Sequence, residues 1–93
     1  MIETPDASQT THRRFYRARS ATALADAVQS IRTASGKTQS DLARAIRSSR
    51  PTISRMERGL PTASDTLVDA LTECGYEIVI VPRGSLVTVV PPS

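Results

Sequence analysis

The sequence predicts a mostly α-helical domain of four to five helices, followed by a C-terminal β-strand or hairpin. A chain of 93 residues suffices for one domain. Between positions 21 and 75, apolar residues recur at three- and four-residue spacing between helix start and stop signals. After position 75 the chain changes to a β-branched apolar run, which is typical of a strand.

The first two helices are predicted from an apolar stripe and a capping motif. The stripe has the i, i+4, i+7 spacing of one helix face and consists of Leu24, Val28 and Ile31. Ser35-Gly36 ends this helix, and Thr38 with Asp41 three residues later has the form of a capping box. The buried face of the second helix is expected to comprise Leu42, Ala43 and Ile46.

The third and fourth helices are bounded by serines and glycines. Ser48-Ser49 precedes the third helix, Pro51 lies in its first turn, and Gly59 ends it. Its inward residues are Ile53 and Met56. Ser64 introduces the fourth helix, which closes at Gly75. The stripe of that helix is Leu67, Leu71 and Cys74, with Val68 beside it.

The chain is expected to fall into three segments. Residues 1–20 are predicted to be a largely disordered N-terminal tail or basic arm. Whether its basic stretch from His12 to Arg19 is an arm or an extension of the first helix stays open. Residues 21–75 are the helical domain, and residues 76–93 are the strand segment. Within that last segment, Pro82 to Ser85 is interpreted as a turn, and whether residues 86–90 form a second strand stays open.

Charge is distributed unevenly along the chain, whose net charge is +3. Residues 1–59 carry eleven Lys and Arg against five acids, and residues 60–93 carry one Arg against four acids. The basic section suits phosphate as a partner. A single cysteine, with no signal peptide and no apolar run of spanning length, favours a cytoplasmic protein outside the membrane. No metal site, cofactor motif or catalytic constellation is expected, which argues against an enzyme.

The segment from Gln39 to Gly59 has the pattern of two short helices joined by a tight turn. Such helices need a small residue where they touch, and Ala43 is placed for this. With the apolar residues facing inward, the outer face of the second of these helices is polar and cationic. It carries Arg50, Thr52, Ser54, Arg55 and Arg58.

This segment resembles the helix-turn-helix of the XRE, or lambda-repressor-like, family, and the likeness extends over residues 24–75. The run from Thr52 to Gly59 is highly typical of that family. The resemblance implies a sequence-specific double-stranded DNA-binding transcriptional regulator that acts as a repressor. One departure is Arg47, where the family usually has glycine in a left-handed turn. A non-glycine residue there costs on the order of 1 kcal/mol, so a strained or differently shaped turn is expected.

Site residues follow from the same resemblance. The positions that read base edges in the major groove correspond to Arg50, Pro51, Thr52 and Arg55. The positions that contact phosphates correspond to Lys37, Thr38, Gln39, Arg47, Ser49 and Arg58. Glu57 is expected to form an intramolecular salt bridge instead of a DNA contact.

The expected partners are a palindromic operator and a second copy of the chain. Where many family members have a fifth helix, this chain has a strand, as in HipB-type antitoxins with a shared C-terminal sheet. The predicted dimerisation residues are Tyr76, Ile78, Val79, Ile80 and Val81. Two alternatives stay open: an antitoxin that also binds and neutralises a toxin protein, and a protein-interaction module without DNA binding.

Overall fold

The computed structural model describes residues 15–92 and contains four α-helices within that range. They are α1 (Ala21–Ala34), α2 (Gln39–Ala45), α3 (Arg50–Glu57) and α4 (Ser64–Glu73). The mostly α-helical fold is therefore confirmed. All four helices lie in one compact unit, Arg17–Val79, and the described residues 15–16 and 80–92 belong to a second unit. The prediction for the first fourteen residues lies outside the described part of the chain.

Side-chain caps start the first three helices. Ser20 accepts a hydrogen bond from the backbone N–H of Ala23. The predicted capping box of α2 is confirmed, because Thr38 and Asp41 each accept from the other's backbone N–H, at 3.0 and 2.9 Å. Ser49 caps α3, whereas α4 begins without a side-chain cap.

The core lies between the inward faces of the four helices, and α2 packs most extensively against α3. Its three most deeply buried large side chains are Val28, Leu42 and Ile53. Other buried apolar residues are Ala25, Ala27, Ile31, Ala43, Met56, Ala70, Leu71 and Cys74. The predicted stripes are confirmed in outline, but Leu24, Ile46 and Leu67 are half-buried and Val68 is exposed.

The turn between α2 and α3 keeps a left-handed residue although that residue is Arg47, at φ +58°. The N–H of Ser48 donates to the carbonyl of Ala43 at 2.8 Å, and the N–H of Arg47 donates to Arg44 at 3.3 Å. This pair of bonds is the Schellman motif that satisfies the last carbonyls of a helix. The other three helices end with the same pair of bonds around a glycine. Of the two expected outcomes, the strained turn is therefore the one observed.

The predicted C-terminal strand is not formed in the single chain. Residues 76–92 contain no strand, and the hairpin with residues 86–90 is also absent from this range. Ile78, Val79, Ile80 and Val81 are all exposed, Ile80 to 92%. A strand exists only where its backbone N–H and C=O groups meet those of a neighbour, and this segment has no neighbouring strand within residues 15–92. The predicted turn at Pro82 is present, because Ser85 donates both its N–H and its hydroxyl to the Pro82 carbonyl.

Across the described range, no helix is both long enough and apolar enough to cross a membrane.

Candidate nucleic-acid interface

One face of α3 is exposed and cationic because the opposite face is occupied by the core. Ile53 and Met56 are almost fully buried, and so is Ala43 of the neighbouring helix α2. Glu57 is also buried, and the remaining positions of α3 are exposed or half-buried. The exposed ones are Arg50, Pro51, Arg55 and, at the helix end, Arg58.

The first turn of α3 is fixed by two hydroxyl groups. The Ser49 oxygen accepts from the backbone N–H of Thr52 at 3.3 Å, and the two hydroxyl oxygens lie 2.8 Å apart in a hydrogen bond. Thr52 is half-buried, while Arg50 and Pro51 beside it are exposed. The four predicted base-contact residues are thus brought together on the first two turns of α3.

The predicted phosphate-contact residues gather at the two ends of α3. Gln39, the first residue of α2, donates its side-chain amide to Glu57 at 3.1 Å, which places the start of α2 beside the end of α3. Lys37 and Thr38 precede Gln39 directly, and Arg58 follows Glu57, so these four predicted residues belong to that end. Arg47 and Ser49 lie in the turn before α3, at its other end.

The side chains of Thr38 and Gln39 each keep a hydrogen-bond donor that the bonds at the start of α2 do not use. The Gln39 amide nitrogen carries two hydrogens, of which Glu57 takes one. The Thr38 oxygen accepts from Asp41 in the cap, and its own hydroxyl hydrogen remains a donor. Both side chains can therefore donate to an anion without disturbing the start of α2.

A buried ion pair joins α1 to α3, and sequence reasoning did not find its cation. Glu57 is only 7% exposed, and both its oxygens accept from the Arg32 guanidinium, at 2.6 and 2.9 Å. The third nitrogen of Arg32 donates to the Lys37 carbonyl at 2.8 Å. Hydrogen bonding to Glu57 raises the pKa of Arg32, which keeps the guanidinium charged. The salt bridge expected for Glu57 is confirmed.

A sequence signal for this pair exists in retrospect. Glu57 lies four residues after the buried Ile53, so it falls on the inner face of α3. A carboxylate at such a position requires a buried cation. The sequence does not specify which cation, because Arg32 is 25 positions away.

Two other arginines near the interface, Arg44 and Arg47, have acidic residues in their surroundings. Arg44 pairs with Asp41 at 2.8 Å on the surface, where such a pair contributes little to stability. The N–H of Thr38, which donates to Asp41, is the main reason that the pKa of that carboxyl lies below its usual value. Arg47 lines a surface groove together with Asp69 and Glu73 of α4.

Among the described residues, no group of His, Cys, Asp and Glu is arranged to hold a metal ion. Cys74 is a buried free thiol at the end of α4.

Comparison with known proteins agrees with this arrangement. A family model for the helix-turn-helix domain matches residues 13–74. A chain of the HipA-HipB-O2-O3 complex is 30% identical with a TM-score of 0.67, and the match covers 74% of this chain and 99% of that one. The HipB-O4 20mer complex gives 30% identity, a TM-score of 0.68 and the same coverage.

The clp gene regulator ClgR from Corynebacterium glutamicum is 33% identical, with a TM-score of 0.57. The match covers 61% of this chain and spans 62% of the length of the ClgR chain. No match was found among the curated proteins. The family predicted from the segment Gln39 to Gly59 is confirmed: the chain belongs to the helix-turn-helix domain family.

Proposed function

We propose that this chain is a sequence-specific double-stranded DNA-binding transcriptional regulator that represses from a palindromic operator as a homodimer. The observation that carries the proposal is the exposed cationic face of α3, which a buried ion pair holds against α1 and α2. The likeness to HipB and ClgR supports it. The proposed activity is binding and not catalysis, and it places the protein on the nucleoid in the cytoplasm.

In this proposal the first two turns of α3 enter the major groove. Arg50 and Arg55 are exposed, and a guanidinium can donate two hydrogen bonds to O6 and N7 of guanine. Pro51 offers an apolar ring to a thymine methyl group, and Thr52 offers its methyl or hydroxyl group. These four side chains supply the base contacts.

Phosphate contacts at both ends of α3 would then fix its register in the groove. Lys37, Thr38 and Gln39 approach one phosphate together, with the N-terminus of α2 behind them. Arg58 reaches the backbone from the same end. Arg47 and Ser49 supply the contacts at the opposite end of α3.

The homodimer in this proposal forms through the C-terminal segment. Tyr76 is half-buried, whereas Ile78, Val79, Ile80 and Val81 are exposed and have no strand beside them within residues 15–92. Pairing two copies in a shared sheet satisfies backbone groups and buries apolar surface in one step. Regulators of this kind read two half-sites about one helical turn of DNA apart, and a two-fold dimer meets that requirement.

A second candidate function is that of an antitoxin which also binds and neutralises a toxin protein. The likeness to HipB favours it, because one of the similar solved structures is a complex that contains HipA and HipB. The match covers 99% of the similar chain in that complex. The exposed carboxylates of α4, Asp65, Asp69 and Glu73, give this chain a surface distinct from the cationic face of α3.

A salt titration with a mixed-sequence duplex separates these functions from a protein-interaction module without DNA binding. The full chain is expected to bind the duplex at low salt, with an affinity that falls as salt rises because lysines and arginines displace counterions. If the chain binds no duplex even at low salt, the only remaining candidate is a protein-interaction module without DNA binding.

A further inference from the structure

The Thr52 side chain in the first turn of α3 is held in place by the hydroxyl group of Ser49. The two hydroxyl oxygens lie 2.8 Å apart, and the Ser49 oxygen also accepts from the Thr52 backbone N–H at 3.3 Å. A threonine side chain in a helix divides between two rotamers. The bond to Ser49, three residues earlier in the chain, selects one of them.

The same bond fixes the direction of the Thr52 methyl group. The hydroxyl and methyl groups occupy staggered positions on Cβ about 120° apart, so neither can turn without the other. Contact of the methyl group with a base leaves the Ser49 bond intact, whereas a base that bonds to the hydroxyl has to share it with Ser49. The adjacent Pro51 is exposed and extends an apolar surface beside the half-buried Thr52.

We propose that Thr52 reads a C5-methyl group of a pyrimidine with its own methyl group, in the direction that Ser49 sets. This inference rests on the proposed function and decides which group of Thr52 meets the base edge. Thymine carries a C5-methyl group in the major groove, and so does 5-methylcytosine, whereas uracil and cytosine lack it. Thr52 is therefore expected to recognise the methyl group and not the hydrogen-bonding pattern of the base.

The size of the expected effect follows from the burial of one methyl group. Removing a group of this size from water strengthens binding by about fourfold. A homodimer makes the contact once in each half-site, so the palindrome as a whole should show about a 15-fold effect, since separate positions contribute independently.

The probe for the test is the duplex that the unaltered full chain selects from a random pool. Each thymine is replaced in turn by deoxyuridine, and each cytosine by 5-methylcytosine, at the equivalent positions of both half-sites. Affinity for every duplex is measured with the unaltered chain, Thr52→Ser and Thr52→Val. Serine keeps the hydroxyl and loses the methyl group, whereas valine keeps a methyl group and loses the hydroxyl. The exposed Thr72 of α4 supplies the matched control, Thr72→Ser.

The unaltered chain should prefer the methylated base by about 15-fold at one position of the half-site. Loss of affinity with deoxyuridine would assign the methyl group to thymine, and gain of affinity with the modified cytosine would assign it to 5-methylcytosine. Thr52→Ser should abolish the preference at that position alone, while Thr52→Val and Thr72→Ser retain it. A preference that serine keeps and valine loses would overturn the proposal, because the hydroxyl would then read the base. Equal methyl preferences for Thr52→Ser and the unaltered chain at every position would also overturn it.

Ser49→Ala tests the positioning role of Ser49. Without the Ser49 oxygen, Thr52 again divides between two rotamers, and the methyl preference should fall from about 15-fold to about sixfold. Loss of a phosphate contact at Ser49 weakens binding to both duplexes alike and cancels in this ratio. An unchanged preference would show that Ser49 does not set the direction of the methyl group.

These results are distinguishable from failure of the proposed function. If the unaltered chain selects no sequence, the function itself fails and this inference falls with it. If the chain selects a palindrome in which no position depends on the Thr52 methyl group, only this inference fails. Thermal unfolding of each variant, followed by circular dichroism, verifies that the helices remain folded.

Discussion

Arg47 shows how a single residue can carry a cost that the fold still accepts. Its left-handed φ of +58° completes the same C-terminal hydrogen bonds that three glycines complete elsewhere in the chain. Sequence comparison with the family identified this position as a departure but left two shapes open for the turn. The steric clash of a side chain in left-handed backbone sets the free-energy cost of Arg47. The hydrogen bonds donated by Ser48 and Arg47 set the shape of the turn.

Arg47→Gly is expected to stabilise the domain by roughly 0.5–1 kcal/mol, because glycine adopts this conformation without a clash. Urea denaturation followed by circular dichroism measures the change. Arg47→Ala is the matched control, since it removes the same charge and keeps the strained backbone. Stabilisation by alanine equal to that by glycine would show that charge, and not backbone strain, is responsible.

At the scale of elements, the helices α1, α2 and α3 are joined by polar contacts to a single carboxylate. Arg32 of α1 pairs with Glu57 of α3, and Gln39 of α2 joins the same carboxylate. The pair is nearly inaccessible to water, with side-chain exposures of 12% and 3%. Because the start of α2 and the end of α3 meet here, this pair holds together the predicted phosphate contacts at that end of α3.

Glu57→Ala should destabilise the domain by about 3–5 kcal/mol, because it leaves the Arg32 guanidinium buried without its partner. Chemical denaturation gives this value directly. The double variant Arg32→Met, Glu57→Leu removes both charges and should recover most of that stability. A single variant no less stable than the double one would contradict the account of the pair.

The helices were predictable from the sequence because their signals are local. Thr38 and Asp41 are three residues apart, and each glycine stop lies next to the helix that it ends. The partner of Glu57 was not predictable, because it depends on contact across 25 positions. The predicted strand at residues 76–81 is not formed, because strand structure depends on a neighbouring strand and none lies beside it within residues 15–92.

At the scale of the whole molecule, the chain has a basic section that ends with α3 and an acidic section that ends with exposed apolar residues. The positions that the sequence assigns to DNA all lie on α2, α3 and the residues flanking them. The positions assigned to dimerisation all lie after α4. We expect this division to let the two activities be removed separately.

Deleting residues 76–93 should give a folded monomer that binds a selected palindromic duplex far more weakly, because two half-sites can no longer be held by one particle. Sedimentation velocity measures the association state. Deletion of residues 86–93 alone serves as the control and tests whether the second apolar run contributes. A dimer that persists without residues 76–93 would refute the shared-sheet proposal.

The central claim is that α3 reads base sequence, and selection of bound duplexes from a random pool tests it most directly. The unaltered chain should enrich a palindrome with half-sites about 10 base pairs apart, and Arg55→Ala should lose preference at one position in each half-site. That loss should correspond to about 1–3 kcal/mol of discrimination. Recovery of no common sequence, or an identical preference at every position for Arg55→Ala, would contradict the account.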